Sequence, residues 1–148
     1  MADLKIEREV VIDAPVDVVW RTITEPDQIS QWFADRVELE AKPGAHGFMG
    51  FGDQGGPIVV EAVDRPTRFS FRWNHPVGEE PVAGNSMLVE FTLVSDGDER
   101  TRLQVAESGL ELLRWPDAEK DRYAEEHRGG WPTFMDRLTR LLAERRGG

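Results

Sequence analysis

The stretch that decides the fold is residues 130–138 near the C terminus, which read Gly-Trp-Pro-Thr-Phe-Met-Asp-Arg-Leu. Apolar side chains recur at helical spacing in and just after this stretch, at Trp131, Phe134, Met135, Leu138, Leu141 and Leu142. A single apolar stripe of this kind is typical of a helix that buries one face. The pattern therefore predicts an amphipathic C-terminal helix that packs on the rest of the chain.

Two starts of this helix are compatible with the residues that precede the stripe. Residues 117–128 are polar and favour a helix, but Gly129 and Gly130 interrupt them and Pro132 disfavours a helix interior. The helix either starts near Gly130, or runs from about residue 117 as one long helix bent at these residues.

Most of the remaining chain has the alternation of apolar and polar residues that indicates strands. Two short helices interrupt it, one through Val16, Val19, Trp20 and Ile23 and one at about residues 26–31. The predicted strands are residues 4–12, 36–42, 46–51, 57–63, 67–74, 85–95 and 100–108. We therefore expect an α+β fold in which a mostly antiparallel sheet and the C-terminal helix bury each other's apolar faces. This geometry tends to leave a cavity between the two layers.

Length, composition and charge restrict the class of protein. With 148 residues the chain has the size of one domain, so we expect a single domain over residues 1–148. Cysteine is absent, which excludes disulfides and thiolate ligands. The charged N terminus and the lack of a long apolar run predict a cytoplasmic protein with no membrane partner. The net charge of −10 disfavours nucleic acid as a partner.

The motifs usually associated with cofactors and metals have weak support. Residues 50–55, GFGDQG, match the G-x-G-x-x-G pattern, but a predicted strand follows where a dinucleotide site needs a helix. We interpret these glycines as a hairpin turn. His46, His75 and His127 are far apart and lack metal-ligand spacing. We therefore expect no cofactor and no metal.

Carboxylates on the predicted strands are the remaining candidates for chemistry. Glu61, Glu90 and Glu107 are three of them. Glu90 has the opposite parity to Val89 and Phe91 and is expected to face solvent. A carboxylate inside an apolar cavity would have a raised pKa and could act as an acid or a base. The sequence does not identify such a residue, so catalytic residues stay unassigned.

Aromatic residues give the strongest functional signal, since five of the 148 residues are tryptophans. Most aromatic side chains are expected in the core. Those on the inner face of the sheet and on the helix stripe are candidates for the wall of a ligand cavity, together with their aliphatic neighbours. The predicted ligand-binding residues are Phe71, Trp73, Met87, Phe91, Trp131, Phe134, Met135 and Leu138.

Four motifs follow one another along nearly the whole chain: D-A-P-x-x-x-V-W (13–20), T-x-P-x-x-I-x-x-W-F (24–33), E-S-G-L (107–110) and G-W-x-x-x-M-x-x-L (130–138). With this ordered set the chain resembles the START-like (SRPBCC) superfamily and, within it, the Aha1-like family, named after the activator of Hsp90 ATPase. The resemblance implies a helix-grip fold, β-α-α-β6-α, with a curved antiparallel sheet around a long C-terminal helix. It also implies a hydrophobic cavity, which in relatives holds lipids, polyketides or other apolar ligands.

Three functions are compatible with these expectations. The first is binding of a small hydrophobic or aromatic molecule between the sheet and the C-terminal helix. The second is a co-chaperone-like module that binds another protein through an exposed surface. The third is a cyclase, aromatase or hydrolase that acts on such a ligand. We expect binding rather than catalysis, and the sequence does not indicate the oligomeric state.

Overall fold

The computed structural model describes residues 5–75 and 78–147. Over this part of the chain, seven strands form one antiparallel sheet in the spatial order β1-β7-β6-β5-β4-β3-β2. The strands are β1 (Ile6–Ile12), β2 (Arg36–Glu38), β3 (His46–Phe51), β4 (Gln54–Asp64), β5 (Arg68–Trp73), β6 (Met87–Ser95) and β7 (Thr101–Ser108). The sheet is curved and does not close, and the pairing of β4 with β5 shifts register between Val60 and Ala62. Such bulges bend a strand locally.

Two short helices lie between the first two strands of the chain. They are α1 (Val16–Thr24) and α2 (Pro26–Ile29). Glu25 separates them in an extended conformation, as expected for a residue before proline. Together with the C-terminal helix, α3 (Asp117–Gly147), they give the order β-α-α-β6-α. The predicted helix-grip architecture is therefore confirmed.

The C-terminal helix is a single element of 31 residues with Pro132 inside it. The predicted start near Gly130 is therefore wrong, and the longer alternative is correct. Two glycines cost a helix only about 1 kcal/mol each. Tyr123 and His127 lie eight and four residues before Trp131, so they extend its face of the helix toward the N terminus. Their contacts with the sheet offset the low helix propensity of the glycines.

The core lies between the inner face of the sheet and the buried face of α3. Alternate residues of β6 and β7 are buried, as the sequence predicts. Trp131, Met135, Leu138 and Leu142 are buried on α3. Each such side chain contributes on the order of 1.5–3 kcal/mol by leaving water. No helix among the described residues is long and apolar enough to cross a membrane.

Residues 50–55 form the hairpin between β3 and β4. Phe51 pairs with Gln54, so Gly52 and Asp53 make a two-residue turn. Gly52 has a φ of +66°, a conformation that favours glycine. The hairpin interpretation is confirmed, and no helix N terminus follows these glycines to hold a pyrophosphate.

Candidate functional site

A buried carboxylate joins the sheet to the C-terminal helix. Glu107, on β7, has no exposed surface. Its Oε2 accepts hydrogen bonds from Trp73 Nε1, at 2.9 Å, and from the hydroxyl of Tyr123. Its Oε1 lies 3.0 Å from Trp131 Nε1 and 2.7 Å from His127 Nδ1. These four partners match the roughly four lone-pair directions of a carboxylate, so Glu107 is fully hydrogen-bonded.

The partners of Glu107 define which group donates each proton. The indole N–H groups of both tryptophans can only donate. Asn74 Nδ2 donates to the Tyr123 oxygen at 2.7 Å, which directs the hydroxyl proton of Tyr123 toward Glu107. An ionised Glu107 accepts all of these bonds, and bonds to a charged acceptor are stronger than neutral ones. His127 therefore donates from Nδ1, and in the neutral ring Nε2 is the acceptor.

Tyr123 is held in its protonated form by this environment. Its burial raises the pKa of the hydroxyl far above the ordinary value. The negative charge of Glu107 and the hydrogen bond to it raise the pKa further, whereas hydrogen bonds with Asn74 and Trp73 lower it. The hydroxyl consequently remains a donor to Glu107 at neutral pH.

A pocket of about 170 Å³ opens beside this cluster. Phe33, which follows α2, stacks on Trp131 with ring centroids 5.3 Å apart and planes 16° apart. The ring of Phe134 meets Phe33 edge-on at 4.7 Å. The pocket is lined by Phe33, Trp73, Glu126, His127, Gly130, Trp131 and Phe134. Its wall is therefore mostly aromatic.

Gly130 keeps part of this pocket open. A Cβ atom built at this helical position would meet no other atom within 4 Å. A larger side chain at residue 130 would extend into the pocket. Gly129 also has free space around its Cα, but it is exposed and does not line the pocket.

A groove of about 350 Å³ adjoins the pocket and shares Trp73, Glu126 and His127 with it. The β3–β4 hairpin contributes to its other side, through Phe51 and residues 54–58. His127 therefore lies at the boundary between pocket and groove, and 24% of its side chain is exposed. A ligand larger than one ring could extend from the pocket into the groove.

Of the eight predicted ligand-binding residues, the structure brings three together at the pocket: Trp73, Trp131 and Phe134. The pocket borders α3 from Glu126 to Phe134, around the middle of this helix, and the hydrophobic core packs beside it. The other five are buried in that packed core, and a role for them in ligand binding stays a prediction: Phe71, Met87, Phe91, Met135 and Leu138.

Four residues of the site are not among the predicted ligand-binding residues: Phe33, Glu107, Tyr123 and His127. Glu107 has the parity of Leu103 and Val105, which face inward, and this alternation was the signal for its burial. Tyr123 and His127 lie in a mostly polar segment, which gives no apolar pattern around them, although they share the helix face of Trp131. The loop position of Phe33 gave no periodic signal for its direction.

Metal binding has no support within residues 5–75 and 78–147. There, no group of three or more histidine, aspartate or glutamate side chains is arranged to hold an ion. The Glu107–His127 pair instead offers a polarised imidazole beside an aromatic pocket, which suits hydrogen bonding to a ligand or proton transfer.

Comparison with known proteins places this architecture in a family. The sequence matches the family described as activator of Hsp90 ATPase homolog 1-like protein over residues 13–143. The chain belongs to this family. The match includes all four motifs that carry the resemblance and every residue of the Glu107 cluster.

Several solved structures share this fold over nearly the whole length of the present chain. MLL2253 from Mesorhizobium loti is 25% identical, with a TM-score of 0.76, and the alignment covers 95% of this chain and 97% of that one. DynU16, described as a putative protein in the dynemicin biosynthetic locus, is 31% identical with a TM-score of 0.76. That alignment covers 96% of this chain but 48% of DynU16, so the chain spans about half of it.

The Aha1 dimer from Colwellia psychrerythraea shares the fold at 16% identity. Its TM-score is 0.73, and 96% of each chain is covered. No curated protein is significantly similar to this chain in sequence.

Proposed function

We propose that this protein binds a small hydrophobic, aromatic molecule in the pocket beside the Glu107 cluster. The observation that carries the proposal is the aromatic wall around an open volume of about 170 Å³, in which Phe33 stacks on Trp131 and meets Phe134 edge-on. An apolar cavity of roughly 150 Å³ is large enough to hold benzene. The pocket therefore suits one aromatic ring, and the adjoining groove suits substituents on that ring.

Removal of apolar surface from water would supply most of the affinity. A ligand the size of 4-methylanisole buries on the order of 200 Å² of apolar surface, which corresponds to ~5 kcal/mol. That free energy corresponds to a dissociation constant on the order of 0.1–1 mM. Natural ligands that also fill the groove are expected to bind more tightly.

The comparisons support a small molecule as the partner in general terms. The family and its START-like fold are compatible with a ligand in this part of the molecule. DynU16, a relative over half of its length, is described as belonging to a biosynthetic locus. This description concerns DynU16, and for the present chain it only favours ligand binding over the alternatives.

A protein-interaction module is less well supported. Among the described residues, the large apolar side chains that are exposed are Val11, Val82, Val94 and Leu112. They lie on four different segments of the chain. Val11 and Val94 both pair in register with Arg102, so a charged residue separates them across the sheet. Such scattered side chains are ordinary on a protein surface.

Catalysis on the bound ligand is the second candidate, because the Glu107–His127 pair places an ionisable ring at the pocket. A general acid or base must lie within hydrogen-bond reach of the reacting group. Binding of the ligand is a precondition of this candidate too, so binding is the property to test first.

The experiment is a titration with 4-methylanisole followed through the indole N–H signals of the tryptophans in nitrogen–proton NMR spectra. We expect the signals of Trp73 and Trp131 to shift in a saturable way. Gly130→Leu should abolish these shifts because its side chain fills the pocket. Gly129→Leu is the matched control, since it changes the helix in the same way outside the pocket. Equal binding by both variants, or no saturable shift in the unmodified protein, would contradict the proposal.

A further inference from the structure

We propose that the pocket selects aromatic ligands that carry a hydroxyl group, and that this hydroxyl donates a hydrogen bond to Nε2 of His127. The inference rests on the proposed function, because it concerns the chemistry of a ligand in the same pocket. It assigns His127 as a specificity-determining residue.

The imidazole ring of His127 is held in one orientation. Nδ1 of His127 is bound to the buried carboxylate of Glu107 at 2.7 Å. The ring of Tyr123 stacks on it with centroids 3.8 Å apart and planes 14° apart, and Trp73 meets it at 89°. Because Nδ1 points into the core, Nε2 lies on the side of the ring directed away from Glu107. The ring borders both the pocket and the groove.

Hydrogen-bond donors and acceptors are unevenly distributed around the pocket. The indole N–H groups of Trp73 and Trp131, which line it, are both turned to Glu107. The remaining polar side chains on the pocket wall are His127, whose Nε2 accepts a hydrogen bond when the ring is neutral, and the carboxylate of Glu126. The pocket wall thus offers hydrogen-bond acceptors to a ligand, whereas its two indole donors are already bound to Glu107. A ligand that donates a hydrogen bond fits this wall, whereas a carbonyl or carboxylate ligand meets no side-chain donor.

The charge around the pocket is negative. Glu107 is negative, Glu126 stands at the rim, and the whole chain carries a net charge of −10. This field disfavours an anionic ligand. The charge of Glu107 also polarises the imidazole, which strengthens Nε2 as an acceptor. The favoured ligand class is therefore a neutral aromatic molecule with a phenolic hydroxyl.

The test compares 4-methylphenol with 4-methylanisole, which differ in whether the ring oxygen can donate a hydrogen bond. Dissociation constants are measured by NMR titration for the unmodified protein and for His127→Phe. We expect the affinity ratio of phenol to ether to be about five- to tenfold higher in the unmodified protein, the size of one hydrogen bond. His46→Phe, which replaces an exposed histidine outside the pocket, is the control and should leave the ratio unchanged.

A second measurement on the unmodified protein covers the case in which His127→Phe does not fold. The nitrogen NMR signal of His127 Nε2 should shift much further on addition of 4-methylphenol than on addition of 4-methylanisole. An equal affinity ratio of phenol to ether in both proteins, or an Nε2 signal that does not move with 4-methylphenol, overturns the inference. In that case, saturable binding of 4-methylanisole still supports the proposed function. If Glu126→Gln removes the preference and His127→Phe keeps it, the acceptor is Glu126 and the inference is wrong. If neither compound binds, both proposals fail.

Discussion

Glu107 and His127 join the last strand of the sheet to the C-terminal helix through a hydrogen bond of 2.7 Å between Oε1 and Nδ1. His127 lines the aromatic pocket, and Glu107 behind it is fully buried. Two tryptophans and a tyrosine complete the coordination of the carboxylate. The same group therefore stabilises the contact between sheet and helix and sets the polarity of the pocket.

Replacement of the carboxylate tests its structural importance. Glu107→Gln substitutes an amide NH₂ for one acceptor oxygen, so one indole N–H loses its partner and the second group on that oxygen, Tyr123 or His127, must change from donor to acceptor. Each buried donor without a partner costs about 1–3 kcal/mol. With the loss of the bonds to a charged acceptor included, we expect the free energy of unfolding, measured by urea denaturation, to fall by about 2–4 kcal/mol.

The matched control is Glu90→Gln on the neighbouring strand β6. Glu90 is partly exposed, and its nearest cation, Arg68, is 3.9 Å away. Exposed pairs of this kind contribute about 0–1 kcal/mol. Similar losses in the two variants would show that the hydrogen bonds of Glu107 add little.

Tyr123 is the only tyrosine in the chain, so no other tyrosine contributes when its ionisation is followed by ultraviolet absorbance. Its pKa is raised in the folded protein. The unfolded chain loses this proton first, at a pH of about 10. The stability contribution is therefore complete below that pH and decreases as the pH rises above it. In the folded protein, we expect tyrosinate absorbance to appear only together with loss of near-ultraviolet circular dichroism. In the urea-unfolded chain, we expect it near pH 10. Tyrosinate formation near pH 10 in the intact fold would contradict the burial of this hydroxyl.

Replacement of Gly129 by alanine is expected to stabilise the protein. It lies in the exposed part of α3, and its added Cβ would meet nothing within 4 Å. Alanine in a helix interior is favoured over glycine by about 0.5–1 kcal/mol. Gly129→Ala should therefore raise the unfolding free energy by about that amount in urea. A decrease would indicate that the helix needs a flexible residue at this position.

Substitutions of Phe71 and Phe134 distinguish a core position from a pocket position. Phe71 is 1% exposed, and Phe71→Ala should lower the unfolding free energy by about 3–5 kcal/mol. Phe134 is only partly buried and lines the pocket, so Phe134→Ala should cost about 1–2 kcal/mol. Titration with 4-methylanisole should show weaker binding in Phe134→Ala and nearly unchanged binding in folded Phe71→Ala. The opposite order of affinities would place the ligand in the core instead.

The elements of the fold follow from periodic patterns in the sequence. The strand from His46 to Phe51 has the predicted bounds, and the stripe from Trp131 to Leu142 predicts the buried face of α3. The start of α3 could not be decided, because local propensity opposes a helix at Gly129, Gly130 and Pro132. Contacts with distant strands outweigh that propensity, and a helical pattern alone does not contain them.

The candidate site was less accessible to sequence reasoning. Trp73, Trp131 and Phe134 were expected at the cavity wall and do line the pocket. The grouping of Glu107 with Trp73 and His127 depends on residues 34 and 20 positions apart along the chain. Their contact is set by strand register and by the position of α3 on the sheet. Alternation could indicate that Glu107 faces inward, but not which donors it would meet.

The most direct test of the account is an isotope-filtered NMR experiment that detects proton contacts between unlabelled 4-methylanisole and the labelled protein. We predict contacts from the ligand ring to Phe33, Gly130, Trp131 and Phe134, which line the pocket. Contacts confined to another surface, such as the groove between Val10 and Pro132, would contradict the central claim that this aromatic pocket is the ligand site.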